Sequence, residues 1–143
     1  MPRLAILNMT LGFFLITLAA AAGPFIAADM TKAFLYDAAQ LSSWQITLHT
    51  SAHGHTNLFG MTHVLFGLTL PYSALSPRLK ILQTIGLGAG SFAMAVLMTL
   101  RGGLGPVAGL DALEIATGVL LSAALAALLS HAAGLLVRVL RRA

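Results

Sequence analysis

The sequence predicts an all-α integral membrane protein, a four-helix bundle with both termini on the cytoplasmic side. The observations behind this are an apolar composition with little charge, four separate apolar runs of membrane-spanning length, and basic residues gathered at alternate ends of those runs. Of the 143 residues, 58% are hydrophobic and 8% charged, and the mean hydropathy is +0.90. A soluble domain carries about a quarter charged residues. This chain lacks the charge to cover a water-facing surface, so lipid must cover it. The length suits a single domain over 1–143.

The formal net charge of +4 does not mark a nucleic-acid binder. The basic residues lie at the ends of apolar runs and not on one face with aromatics. There are no cysteines, which excludes disulfides, thiolate metal sites and cysteine-held iron–sulfur clusters.

The apolar runs cover about 4–26, 53–72, 79–100 and 110–140, each near the ~20 residues a helix needs to cross a bilayer. Helix is required, because each span must satisfy its own backbone hydrogen bonds in lipid. The first run has a rival reading: Arg3, the apolar Leu11 to Leu18 and the small residues Ala19 to Gly23 resemble a secretory signal peptide. A retained helix fits better, since an even number of spans agrees with the charges. Arg3, then Arg78 and Lys80, then Arg138, Arg141 and Arg142 fall on one side. By the positive-inside rule that side is cytoplasmic, giving an N-in, C-in topology.

The longest connection is the outer loop 27–52. Its part from Met30 to Ala39 is expected as a short interfacial helix with Trp44 at headgroup level, or as a lid over the outer helix ends. Gly86, Gly88 and Gly90 in the third run permit close helix packing. They follow no strand, so they are not a nucleotide loop.

The segment from Thr50 to His63 holds His53, His55 and His63, and His49 stands just before it. Ionisable side chains inside membranes are costly and mark function by default, and neutral imidazole is the commonest metal-ligating side chain. At about 100° per residue, His49, His53, Asn57 and Gly60 share one stripe, with His63 at its edge and His55 on another face. His63 lies about 15 Å deeper than His53, so a single metal atom cannot take both. A tetrahedral zinc site from this helix is therefore disfavoured. A haem suits the segment better. It needs one or two axial ligands, apolar walls (Phe59, Met61, Phe66) and small residues (Gly54, Gly60, Gly67) where the ring nears backbone. With no Cys-x-x-Cys-His, attachment would be non-covalent, as in b-type haem. Glu114 and Arg101 lie at the depth of His53. Glu114 either orients a histidine, accepts a proton, or pairs with Arg101. His131, near the opposite end of the fourth run, is expected to be structural.

Two resemblances attach to this segment. Ala52-His53-Gly54, Gly60-Met61 and Leu70-Pro71 resemble the second helix of the styrene oxide isomerases, and Trp44 has a counterpart there. Those are small four-helix bacterial membrane enzymes that open an epoxide to an aldehyde on ferric haem b, held between the subunits of a trimer. The resemblance implies that His53 ligates haem iron, that the chain forms a homo-oligomer, and that it resides in a bacterial inner membrane. It departs from that family where Phe59 stands in place of an asparagine. The third run also has neither the aspartate nor the tyrosine of the reaction. His53-Gly54-His55-Thr56-Asn57-Leu58-Phe59-Gly60 is also similar to the His-x-His-x-Asn-Leu-x-Gly pattern of small proteins related to haem-copper oxidase subunit I.

The expectation is therefore a haem b protein with His53 as axial ligand, Asn57 and Gly60 beside it, and His55 or His63 as second ligand, propionate partner or distal group. Membrane lipid and a small-molecule ligand complete its partners. A haem iron with an open position is a Lewis acid, or binds a gas or passes electrons. The alternatives are an outer copper site from His49, His53 and His55 with Met61 nearby, or a non-catalytic accessory subunit whose histidines only bridge helices.

Overall fold

The computed structural model describes residues 3–141 as four long helices, with no strand among the described residues. Helix α1 is Arg3–Tyr36, α2 is Trp44–Thr69, α3 is Pro77–Leu104 and α4 is Ala112–Leu140. α1, α3 and α4 are long and apolar enough to cross a membrane by length and composition. α2 does not join that group, unlike the second run of the sequence reading. It has 26 residues, about 39 Å at 1.5 Å each, but its histidines, threonines and Asn57 dilute its apolar character.

Local chemistry sets the helix ends. Ser43 caps α2 by accepting from the Ile46 N–H, and Ser76 caps α3, where Pro77 takes the first helical position. Asp111 and Glu114 form a reciprocal capping box on α4. α3 ends at Gly105, whose φ of +78° suits a residue without a Cβ. One π turn, Ala93–Leu97, interrupts α3.

Two boundaries differ from the sequence reading. α1 continues to Tyr36, so Met30 to Tyr36 extends the first helix and only Ala38–Ser42 forms a separate 3-10 turn. α2 starts at Trp44, nine residues before His53, so the long loop shrinks to a short turn. The cause is that Lys32, Ala33 and Leu35 are good helix formers. α1 has 34 residues and is about 51 Å long, well over a ~30 Å hydrocarbon layer.

α1 packs antiparallel on α2, α3 packs antiparallel on α4, and α2 joins the two pairs through α3. The first crossing is close. A Cβ on Gly12 would lie 2.6 Å from the Gly60 carbonyl oxygen, and one on Gly67 would lie 2.6 Å from that of Ala5. Small residues at such crossings let backbones approach, and dispersion then holds them. Phe66, Leu70 and Leu87 form the apolar core, flanked by Leu4, Phe59 and Leu128. Large apolar side chains such as Phe13, Phe14, Phe25, Leu125 and Leu129 point outward, a surface suited to lipid.

The Arg3 end of α1, the Leu140 end of α4 and the α2–α3 turn share one end of the molecule. The α1–α2 and α3–α4 connections share the other, called here the loop end.

Candidate functional site

The stripe of α2 nearest the loop end carries the site, because residues four apart lie on one helix face. His49, His53 and Asn57 follow that spacing. The Asn57 amide nitrogen lies 3.4 Å from both the His53 carbonyl oxygen and His53 Nε2. The His53 ring rests against α1 at Gly23, where a Cβ would meet His53 Cε1 at 3.4 Å. Its Nδ1 is buried and has no hydrogen-bond partner among the described residues. Such an atom costs free energy unless something binds it.

Beside that ring lies a cavity of about 220 Å³ between α1, α2 and the loop-end half of α3. Ala19, Ala22 and Asp29 wall it from α1, His49 and Thr56 from α2, and Ala95 and Thr99 from α3. α1 and α3 barely touch one another, so the space between them is a groove floored by α2. Phe25 on its rim is 75% exposed. The π turn Ala93–Leu97 falls where α3 passes this groove. Extra-residue turns of this kind recur at functional sites.

The remaining candidates stand elsewhere. His55 faces away from the groove. Its Nδ1 lies 2.8 Å from the Ser51 carbonyl oxygen, and the ring borders a separate apolar cavity with Leu58, Phe59 and Leu125. His63 is fully buried in the interior, with Nδ1 3.0 Å from Asn8 Oδ1 and Nε2 3.0 Å from Ser91 Oγ. Both nitrogens are engaged, which removes it as a second ligand or distal group at His53. Gly60 lies under Ile16 and Gly12 of α1. It serves the helix crossing rather than a cofactor slot, and Gly67 does the same. His131 packs at a 49° tilt against Phe66, ring centroids 4.4 Å apart, and its Nε2 lies 2.9 Å from Thr69 Oγ1, a structural placement.

Glu114 pairs with Arg101 at 3.4 Å, and Asp111 approaches the same guanidinium at 3.6 Å. Arg101 also donates to the Gly105 carbonyl at 2.6 Å and lies over the Trp44 ring at 5.1 Å. Trp44 Nε1–H in turn donates to the Arg101 carbonyl at 3.0 Å. Of the roles open to Glu114, the ion pair is the one the structure contains.

No group of three or more His, Asp or Glu side chains stands close enough to hold a metal ion among the described residues. The copper cage of His49, His53 and His55 is therefore not assembled, because His55 turns away and Met61 is 55% exposed two turns further on. For haem the fit is partial. His53 offers an unengaged ring nitrogen, but 220 Å³ falls below the ~300–1,000 Å³ of ordinary ligand pockets. A porphyrin does not fit inside this groove alone.

Sequence reasoning missed Asp29, which lines the His53 groove from α1. The signal lies in the hairpin. Residues of α1 and α2 pair across the Ala38–Ser42 turn: Met30 with Thr50, Gly23 with His53, Gly12 with Gly60. Asp29 thereby falls opposite His49. The chain matches no protein-family model, no curated protein and no solved structure.

Proposed function

We propose that this chain is a multi-pass membrane protein, N-in and C-in, that binds haem b through His53 in a groove open to lipid and closed by another copy of the chain. The observation that carries this is the His53 ring, which borders a groove too small to hold a porphyrin alone and keeps a buried Nδ1 without a hydrogen-bond partner among the described residues. His63 is engaged at both ring nitrogens, and His55, with Nδ1 on a backbone carbonyl, borders a separate cavity and not this groove. Asn57 sits within reach of the His53 ring and would steady its orientation. The resemblance of Ala52-His53-Gly54 to the haem-ligating helix of the styrene oxide isomerases supports the same residue. Haem iron with a free position would supply Lewis acidity toward a small epoxide-like oxygen compound. What this chain would contribute is a ligand nitrogen and an apolar rim at Leu18 and Phe25.

The test is the absorbance spectrum of protein produced with haem supplied, oxidised and then reduced. A Soret band that disappears in His53→Ala, with helix content unchanged by circular dichroism, is expected. A wild-type protein with neither Soret band nor iron overturns the reading.

A second reading, a non-catalytic accessory subunit, draws on the His63 and His131 contacts, which bridge helices and bind nothing else. It leaves the His53 groove without a purpose. Its mark would be stoichiometric co-purification with partner subunits and no cofactor.

A further inference from the structure

A second and larger cavity, about 560 Å³, lies at the loop end between the last turns of α1 and the first turn of α2. Its lining is mixed, and Asp29, Lys32, Tyr36, Asp37, Gln45 and His49 supply the polar part. At 34 residues, α1 is long enough at about 1.5 Å per residue for its last turns to stand beyond the hydrocarbon and meet water. Ile26, Asp29 and His49 border this cavity and the His53 groove alike. The two spaces are therefore neighbours that share these three residues.

His49 is held at that boundary by a single hydrogen bond, its Nε2 to the Thr99 carbonyl at 3.2 Å. It packs on Gly102, where a Cβ would come within 2.6 Å of the ring. The imidazole is thus fixed on the α3 side, and Asp29, an exposed side chain, borders both spaces from the α1 side. On the groove side stand His53, with its unpartnered nitrogen, and Thr56.

We propose that Asp29 and His49 form a polar gate through which small, hydrogen-bonding molecules and protons pass from water at the loop end to His53. The groove's open lipid side would not be their route. This rests on the reading of His53 as the binding side chain. Charge selects what passes. Two carboxylates, Asp29 and Asp37, face one ammonium, Lys32, around the larger cavity, so neutral and cationic molecules gather there and anions do not.

The chain has no cysteine, so one introduced thiol reports one position. Ala22→Cys and Ala95→Cys place it on opposite walls of the groove. The full chain in liposomes is treated with methanethiosulfonate reagents of equal size, one carrying an ethylammonium and one an ethylsulfonate. These react with the thiolate, which forms only where water reaches. Both thiols are expected to react from the side bearing the α1–α2 turn, with the cationic reagent at least about tenfold faster. Asp29→Asn should bring the two rates together. His49→Trp should slow both reagents while leaving a Gln40→Cys control at the mouth unchanged.

The proposal is overturned if both thiols ignore the charged reagents yet react with lipid-soluble N-ethylmaleimide. It is equally overturned if Asp29→Asn leaves the charge preference intact, or if His49→Trp leaves the rates unchanged. These readouts need no haem. A protein without a Soret band that still labels through the gate keeps the route and loses the cofactor, and a haem-bearing protein that does not label does the reverse.

Discussion

The imidazole Nδ1 of His63 meets the side-chain oxygen of Asn8 at 3.0 Å in the fully buried interior, tying α2 to α1. The Asn8 amide donates to the Leu4 carbonyl at 2.8 Å and to Thr84 Oγ1 at 2.9 Å. That uses both of its N–H groups and leaves its oxygen to accept. His63 Nδ1 therefore carries the proton. Neutral His63 then accepts at Nε2 from Ser91, whose hydroxyl otherwise donates to the Leu87 carbonyl. One imidazole thus joins α1, α2 and α3.

Removing it strands Asn8 Oδ1, while Ser91 keeps its hydrogen bond to the Leu87 carbonyl. His63→Leu should lower stability by about 1–3 kcal/mol, read as loss of helix on titration with a denaturing detergent. A double-mutant cycle with Asn8→Leu should show coupling of at least about 0.5 kcal/mol. Haem content should be the same in folded His63→Leu and wild type, because His63 stands apart from the His53 groove.

Arg101 is the hinge of the other end. It is 6% exposed, and it holds Glu114, Asp111, the Gly105 carbonyl and the Trp44 ring. Breaking a fully buried pair costs about 3–5 kcal/mol. Both carboxylates are close to a third exposed, so water recovers part of that cost. Arg101→Ala should destabilise by about 2 kcal/mol. Arg101→Lys should recover less than half, since lysine lacks the fork that serves several acceptors. Equal stability of Arg101→Ala and wild type would contradict this.

Glycines separate by what faces them. Gly12→Val drives a side chain into the Gly60 carbonyl and Val64, and overpacking of this kind costs about 1–3 kcal/mol. Nothing lies within 4 Å of a Cβ on Gly54, so Gly54→Ala should be neutral or stabilise by up to about 1 kcal/mol through helix propensity. Thermal unfolding of the two variants side by side checks the contrast.

Much of this arrangement is legible in the residues. The apolar runs ending at Leu100 and Leu140 mark α3 and α4, because charge is expelled from them. The four-residue spacing of His49, His53 and Asn57 marks the shared face, and the offset of His55 marks its separation. The start of α2 at Trp44 is hidden, because the polar stretch from His49 to Thr56 looks like loop wherever hydropathy is the signal. The last turns of α1 are hidden for the same reason by Asp29 and Lys32. The role of Gly60 is ambiguous until its neighbour is known, since a ligand and a helix both ask for a small residue. Asp29 joins His53 only through the pairing across the hairpin, which depends on where the Ala38–Ser42 turn falls.

The most direct test of the central claim is the iron and Soret absorbance of purified wild-type protein beside His53→Ala, His55→Ala and His63→Ala, all checked for helix content. The expected result is a Soret band and iron in the wild type, His55→Ala and His63→Ala, and neither in His53→Ala. A Soret band that survives His53→Ala, or one that depends on His55 or His63 instead, would contradict the assignment of His53 as the ligand.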